Sequence, residues 1–301
     1  MADTLRAAID RLNIAGVDNP QLDARLLFCH ALGLDRAGLL SQSRREPTIP
    51  EIKKIETLLQ RREKRESVAR IIGQREFWGL PFGMNEATLE PRPDSETLVE
   101  AVLSSFRRKP ESSGSFSLDP GLRRNDAISC ESFAPRILDL GTGTGCLLLA
   151  LLHEWPHATG VGIDIAPRAV AQASQNAAGL GLDTRAAFRT GNWFDGITGK
   201  FDIIISNPPY IPAADIETLM PEVRDHDPRA ALDGGADGLE PYRFLIPQLP
   251  AFLNANGFVI FEVGIDQAQD VAALLRAHAF ADVAIHKDLG GIDRCVSAYI
   301  S

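Results

Sequence analysis

The residues best suited to chemistry are Ser206-Asn207-Pro208-Pro209-Tyr210, which directly follow the apolar run 201–205. That run predicts a buried strand, and two prolines end it because proline fixes φ and has no N–H for the ladder. Asn207 and the carbonyl of Pro208 would then face outward as two acceptors, a pair suited to holding both hydrogens of a planar –NH2 group. The ring of Tyr210 offers a flat face for packing against such a group. A plain strand-ending turn is the alternative, since Asn-Pro is a common turn dipeptide.

A second candidate is the glycine-rich turn Gly141-Thr142-Gly143-Thr144-Gly145, which lies between a strand pattern and an apolar helix pattern. Glycine lets the backbone approach a ligand closely, and the N-terminus of the helix favours anionic or polar groups. The spacing differs from the Gly-x-Gly-x-x-Gly of nicotinamide enzymes. Asp164 ends the next strand pattern, where dinucleotide folds place an acid on a ribose diol. Turn and acid together favour a binding site over a plain strand-to-helix turn.

Trp193 follows a third strand pattern at 187–190. In a sheet of this kind that strand end borders an adenine, on which the indole could stack. Packing of Trp193 in the core is the alternative, which the sequence leaves open.

The segment His153-Glu154-Trp155-Pro156-His157 matches the His-Glu-x-x-His pattern of metalloproteases. Zinc would need both histidines on one helical face, and Pro156 breaks the helix between them. We therefore interpret the segment as the end of a helix and expect no metal site there.

The elements that must position these residues are an α/β array. Strand patterns alternate with helix patterns from residue 137 onward, and the last ones, near 283–285 and 294–299, predict an antiparallel pair. This order predicts a doubly wound sheet. Residues 1–67 predict a helical bundle, 68–90 a β-hairpin linker and 91–301 the α/β domain. Within the last, 109–134 is rich in Ser, Gly and Pro and predicts a flexible loop without chemistry.

The charge is unevenly distributed along the 301 residues. The net charge is −9, with +3 in residues 1–73 and −12 in the remainder. An acidic body disfavours stable nucleic-acid binding. The basic end suits either an acidic or phosphate-bearing partner or a solvated helix face.

Neither the start of the chain nor its apolar runs predict export or a membrane span. The four cysteines are scattered without a Cys-x-x-Cys pair, which argues against a zinc ribbon and a disulfide framework. We expect a cytoplasmic protein.

The glycine turn, the acid at 164 and the Asn-Pro-Pro-Tyr turn together resemble class I S-adenosylmethionine-dependent methyltransferases that act on planar nitrogens. The closest resemblance is to the peptide-chain release factor glutamine methyltransferases, the PrmC/HemK family. It covers nearly the whole chain and includes the blocks 61–73, 76–79, 91–96, 231–239, 262–264 and 287–294. Three departures stand out: Glu90 in place of an aliphatic residue, His226-Asp227-Pro228 in place of aromatic-Glu-Pro, and a long 109–134 loop. We expect none of them to touch the cofactor or the amide-binding motif.

The resemblance implies a seven-stranded, mostly parallel Rossmann-like sheet and S-adenosylmethionine as cofactor. It implies that residues Gly141 to Gly145 cradle the cofactor's amino-acid end, that Asp164 binds its ribose, and that Trp193 and Asn207 line its adenine and methyl side. The substrate would be the glutamine of the Gly-Gly-Gln loop of release factors, bound by residues 207–210 and methylated on its amide nitrogen. Asn207, Pro208 and Tyr210 would promote direct in-line transfer without a metal or a covalent nucleophile. A monomer is expected.

Three other functions remain open from the sequence. An adenine amino group is also a planar –NH2 group, so DNA adenine N6 methylation would use the same acceptors, although the acidic body counts against it. A ribosomal protein glutamine methyltransferase would carry the same turn. A non-catalytic cofactor-binding adaptor would bind without turnover.

Overall fold

The computed structural model describes residues 1–107 and 133–300. Residues 109–132 of the predicted flexible loop therefore lie outside the described residues. Short 3-10 turns accompany the helices and strands given below, at Pro93–Ser95, Ile216–Thr218, Arg229–Ala231 and Ile246–Gln248.

The first part of the chain is helical. Its helices are α1 (Ala2–Ile14), α2 (Pro20–Leu32), α3 (Arg36–Ser41), α4 (Ile49–Glu63) and α5 (Val68–Ile72). The Asn19 side chain caps α2 by accepting from the N–H of Leu22, Gly33 ends that helix with a left-handed φ of 65°, and the Asp35 side chain caps α3. The helices enclose a small apolar core of their own that includes Leu12 and Phe28.

The hairpin is shorter than predicted. Strands β1 (Gln74–Phe77) and β2 (Leu80–Gly83) pair antiparallel, but Val68–Ile72, predicted as part of the hairpin, is helix α5. The prediction was wrong there because the Ser67 side chain caps the first turn and Gly73 adopts the left-handed conformation that ends a helix. These two terminal signals outweigh the strand preference of valine and isoleucine.

A seven-stranded sheet forms the centre of the remaining described chain, in the order β5-β4-β3-β6-β7-β9-β8. The strands are β3 (Arg136–Leu140), β4 (Thr159–Asp164), β5 (Ala186–Thr190), β6 (Phe201–Ser206), β7 (Leu253–Glu262), β8 (Phe280–Lys287) and β9 (Asp293–Ile300). Strands β3 to β7 are parallel, and β9 is antiparallel to both of its neighbours. This is the predicted doubly wound, mostly parallel sheet.

Helices cover both faces of the sheet. They are α6 (Glu96–Arg107), α7 (Cys146–Glu154), α8 (Pro167–Gly179), α10 (Glu240–Leu245), α11 (Leu249–Phe252) and α12 (Ala268–Ala277). The short helix α9 (Pro221–Arg224) lies in the segment between β6 and α10 and has no buried residue. Alternate strand residues point to opposite faces, so Ile203 packs with α6 and α7 whereas Ile204 packs with α10 to α12.

Two groups of ion pairs lie where the helical region meets the segment that follows β6. In the first, Glu222 of α9 accepts from Arg62 at 2.9 Å and from Arg65 at 2.6 Å. In the second, Asp227 accepts from Arg70 and, at 2.6 Å, from Arg92. We call these two groups the interdomain clamp. The side chains of Arg62 and Asp227 are 6% and 1% exposed, so water screens these charges little.

Within residues 1–107 and 133–300, no helix combines the length and apolar character needed to span a membrane. The His153–His157 segment lies at a helix end, as predicted: α7 ends at Glu154, and Trp155 has extended backbone angles.

Candidate active site

The glycine turn and the Asn-Pro-Pro-Tyr turn lie side by side. Strands β3 and β6 are neighbours, with Leu140 opposite Ser206, so the loops that follow them leave the same edge of the sheet. The hydroxyl of Ser206 donates to the carbonyl of Leu140 at 2.7 Å and ties the two strand ends together. The strand order reverses between β3 and β6, and open α/β sheets bind ligands at such a point.

A cavity of about 380 Å³ opens at this edge. Most predicted site residues meet there: the lining includes residues 141–144, 163–166 and 191–193, with Asn207 and Pro209. The volume is in the range of small-molecule and cofactor sites.

The glycine turn is held by β4. The N–H groups of Gly141 and Thr142 both donate to the carbonyl of Ile163, and the N–H of Gly143 donates to Oδ2 of Asp164 at 2.9 Å. Gly141 and Gly143 have φ values of 75° and 53°, which glycine adopts without strain. The turn therefore presents bare backbone to the cavity.

Gly145 has a different role from the other residues of the turn. It lies outside the cavity lining, and a Cβ there would stand 3.1 to 3.2 Å from Phe188, Ala173 and Leu149. Gly145 thus allows α7 to pack closely against its neighbours rather than facing a ligand.

Asp164 is well placed to bind hydroxyl groups. Its second oxygen, Oδ1, accepts from the N–H of Ala166 at 2.9 Å, so backbone donors fix the carboxylate at the cavity wall. Burial raises the pKa of Asp164, and these two hydrogen bonds oppose that rise. An ionised carboxylate has about four lone-pair sites. Two of them remain to accept from a diol.

The Asn207 turn is fixed from several sides. Nδ2 of Asn207 donates to Oγ of Ser95 at 3.4 Å, which leaves Oδ1 as the acceptor that the side chain offers. The hydroxyl of Tyr210 donates to Oε1 of Glu262 at 3.2 Å, and the side chain of Gln267 donates to the carbonyl of Tyr210. Of the predicted group, Asn207 and Pro209 line the cavity, whereas Pro208 is buried and Tyr210 lies outside the lining.

A buried acid lies beneath the glycine turn. Asp139 is 1% exposed, and its Oδ2 accepts from the hydroxyl of Thr142 at 2.5 Å. Its Oδ1 has no hydrogen-bond partner among the described residues. Burial raises the pKa of Asp139 to about 7, and the Thr142 hydroxyl opposes that rise.

The cavity also includes residues that the sequence prediction missed. Cys146 and Leu147 begin α7, and residues 89–92 and 230–231 form a further part of the wall. Burial raises the pKa of the Cys146 thiol to about 12, so it stays protonated at neutral pH. The paired prolines around Arg92 were a signal that could have been used, because they indicate a stiff segment close to the start of α6.

Two of the three departures from the family pattern lie in the cavity wall, which leaves the expectation about cofactor contact a prediction. Glu90 and Pro228 both belong to its lining. Glu90 is 7% exposed and accepts from the Ser67 hydroxyl at 2.6 Å, with Arg75 at 3.5 Å. A buried carboxylate is tolerated there because hydroxyl and guanidinium groups surround it.

Comparison with known proteins identifies relatives for both parts of the chain. Residues 3–73 match the PrmC N-terminal domain family, and residues 134–236 match a methyltransferase domain family. The release factor glutamine methyltransferase of Rhodospirillum rubrum is 48% identical over 96% of this chain and 81% of its own length. That of Bradyrhizobium diazoefficiens is 46% identical over 97% and 92%.

A solved structure shares the fold. The hMettl16 catalytic domain, crystallised with the MAT2A 3′UTR hairpin 6, superposes with a TM-score of 0.54 at 14% identity and covers 84% of this chain and 83% of that one. The sequence identity to the Rhodospirillum rubrum and Bradyrhizobium diazoefficiens relatives, sustained over almost the whole of this chain and at least 81% of each relative, shows that the chain belongs to the release factor glutamine methyltransferase family.

Proposed function

We propose that this protein transfers a methyl group from S-adenosylmethionine to the side-chain amide nitrogen of the glutamine in the Gly-Gly-Gln motif of release factors, and so modulates translation termination. The observation that carries the proposal is the orientation of Asn207. Because its Nδ2 is engaged by Ser95, its Oδ1 is the atom left to accept from an incoming –NH2 group. The names of the bacterial relatives specify the substrate class.

The residues of the cavity fit the proposed cofactor. The glycine turn offers bare backbone for close approach, Asp164 has acceptor sites for a ribose diol, and the Trp193 side chain stands in the same wall. S-adenosylmethionine, when bound, supplies an electrophilic methyl group on a sulfonium. Residues 141 to 144 would hold its amino-acid end, Asp164 its ribose, and Trp193 its adenine.

The task left to the protein is to position a poor nucleophile. An amide nitrogen has a delocalised lone pair, so it reacts only when it is held in line with the methyl group. Oδ1 of Asn207 and the carbonyl of Pro208 would accept the two N–H hydrogens and fix that orientation. The same two acceptors would stabilise the positive charge that develops on nitrogen. Neither a metal nor a covalent nucleophile takes part.

The helical region 1–67 is proposed to dock the release factor, with 68–90 as linker and 91–301 as the methyltransferase domain. The separate family match and the net charge of +3 for residues 1–73 support a distinct role. Deleting the region would also remove Arg62 and Arg65 and leave Glu222 buried without its cations. Charge reversal of the exposed Lys53 and Lys54 on α4 is therefore the cleaner test: it should raise KM for the release factor and leave kcat unchanged. An unchanged KM would count against docking through this face.

The proposal further assigns the protein to the cytoplasm as a monomer, without stable nucleic-acid or membrane binding. The deciding experiment measures transfer of labelled methyl from S-adenosylmethionine to three substrates: a release factor, the same factor with its Gly-Gly-Gln glutamine replaced, and duplex DNA. Label on the first alone supports the proposal. Label on DNA alone would mean that the Asn207 turn binds adenine.

A further inference from the structure

Glu262 is a buried carboxylate beside the Asn207 turn. It ends β7, which pairs with β6 so that Phe261 lies opposite Ser206, and it is 1% exposed. Its Oε1 accepts from the Tyr210 hydroxyl, whereas its Oε2 has no hydrogen-bond partner in the described part of the chain. A buried oxygen without a donor is costly. Its presence next to the proposed substrate acceptor therefore calls for a function.

Ser95 lies between Glu262 and Asn207. It is 3% exposed, and its Oγ accepts from Nδ2 of Asn207. A serine hydroxyl has one proton, which rotates freely to suit its surroundings. Because Oγ serves Asn207 as an acceptor, that proton is available to another group. The Glu262 carboxylate is its hydrogen-bonding neighbour: burial raises the pKa of Glu262, and the Ser95 hydroxyl, Arg294 and the Tyr210 hydroxyl oppose that rise.

We propose that Glu262 and Ser95 are positioning residues that fix which end of the Asn207 amide faces the substrate. The inference rests on the function proposed above. The Glu262 carboxylate takes the Ser95 proton, Ser95 must then accept from Nδ2 of Asn207, and Oδ1 of Asn207 is turned to the substrate. Each step leaves the next group a single role as donor or acceptor.

This chain of hydrogen bonds from Glu262 through Ser95 to Asn207 meets a need that is specific to an amide side chain. Its amide group has two orientations of nearly the same shape, which differ in whether oxygen or –NH2 faces a given side. With –NH2 towards the substrate, two donors would confront each other and the amide could not bind productively. If Glu262 did not take the Ser95 proton, Ser95 could donate to Oδ1 instead and stabilise that unproductive orientation.

The kinetic test compares Ser95→Ala, Ser95→Thr and Glu262→Gln with Ser297→Ala, a control that removes an equally buried hydroxyl from β9. We expect Ser95→Ala to lower kcat by about 10 to 100-fold, as removal of a transition-state donor or acceptor does, while KM for the release factor and Kd for S-adenosylmethionine stay within about threefold. Ser95→Thr retains the hydroxyl and should restore most of kcat. Glu262→Gln should give an intermediate loss, because its amide can accept from Ser95 or donate to it. Ser297→Ala should match the wild type.

A spectroscopic test does not depend on turnover. The side-chain amide signals of Asn207, assigned by their loss in Asn207→Ala, should show slow solvent exchange in the wild type and exchange about tenfold faster in Ser95→Ala, since that variant removes the hydrogen-bond acceptor. Ser297→Ala should leave them unchanged.

The two tests separate failure of the inference from failure of the proposed function. If the wild type methylates release factor and both Ser95→Ala and Glu262→Gln keep kcat within twofold, the positioning role is overturned. A wild type that does not methylate release factor overturns the proposed function instead. In that case the solvent exchange of the Asn207 side-chain amide protons tests the positioning role by itself. If Ser95→Ala exchanges these protons at the wild-type rate, the positioning role is overturned.

Discussion

The ring of Trp193 lies against Gly141: a Cβ built on that glycine would stand 3.6 Å from Cζ3 of the indole. Trp193 follows β5 and Gly141 follows β3, so this contact closes one side of the cavity from strands that are not neighbours. Trp193 also packs against the apolar core beneath α10 to α12. The structure shows the core packing of Trp193, and its adenine-stacking role stays a prediction.

The adenine role of Trp193 predicts a binding defect. Trp193→Ala should weaken S-adenosylmethionine binding by about tenfold or more, because stacking of a base on an aromatic ring contributes roughly 1 to 3 kcal/mol. Trp193→Phe keeps a flat ring and should retain most of the affinity. Calorimetric titration of both variants provides the measurement. Equal affinity in wild type and Trp193→Ala would assign the residue to the core alone.

Removal of the Asn207 side chain should affect chemistry more than binding. Asn207→Ala should lower kcat by about 100-fold or more, because it deletes one of two acceptors that hold the reacting amide. Asn254→Ala removes an asparagine whose amide bonds Asp202 outside the cavity and should keep kcat near wild type. Steady-state methyl transfer measures both variants. Near-full activity of Asn207→Ala would refute the amide-holding role.

The interdomain clamp should contribute to stability. Glu222→Gln removes the carboxylate that Arg62 and Arg65 share and leaves Arg62 with Asp23 as its remaining acidic partner; breaking a buried ion pair costs about 3 kcal/mol. Asp225→Asn, just after the same short helix, breaks an exposed pair with Arg224 and should leave the free energy of unfolding close to that of the wild type. Urea unfolding at neutral pH compares the two. Equal losses would show that burial of Glu222 adds nothing to the pair.

Asp139 predicts a pH dependence of stability. Its folded pKa of about 7, raised by burial, lies above the ordinary value of about 3.9 in an unfolded chain. The folded state therefore binds the proton more tightly, and the stability this provides is complete below pH 4 and is lost as pH rises through 7. Asp139→Asn abolishes that titration. The free energy of unfolding of Asp139→Asn, taken relative to the wild type, should therefore rise by about 3 kcal/mol when the pH is raised from 4.5 to 8.

A matched control for Asp139 is Asp237→Asn. Hydrogen bonds from Arg243 lower the pKa of Asp237 to about 2, so its folded and unfolded pKa values both lie below pH 4.5. Its effect on unfolding should stay constant between pH 4.5 and pH 8. If the difference in free energy of unfolding between Asp139→Asn and the wild type were also the same at both pH values, Asp139 would remain ionised in the folded protein.

The sequence predicted the sheet, its mostly parallel order and the family, and these predictions are confirmed. They depend on local signals such as Asn19 before Pro20 or the prolines after Ser206, which act over a few residues. Contacts between distant segments had no such signal. Neither the pairing of Arg62 with Glu222 nor the approach of Ser95 to Asn207 could be predicted, since 160 and 112 residues separate the partners. The hairpin error at Val68–Ile72 arose where strand propensity competed with two helix-terminal residues.

The assigned roles of the individual site residues stay predictions. The structure brings residues 141 to 144, Asp164, Trp193 and Asn207 to one cavity. It places Gly145 in helix packing and Tyr210 against Glu262. The positions of the strand ends therefore determine which residues meet at the cavity. The direction in which each side chain points depends on its contacts with other helices and strands, which the sequence pattern does not show.

The interdomain clamp also limits how chimeric versions of this protein can be built. Its cations belong to residues 62–92 and its anions to residues 222–227, so the two stretches are electrostatic halves of one joint. In a chimera whose first 73 residues come from a relative, three of the four arginine positions come from that relative, whereas the acidic positions 222 and 227 come from this protein. Exchanging residues 221–228 together with that region transfers every clamp residue except Arg92. The modules of this protein are therefore interchangeable only as a discontinuous set.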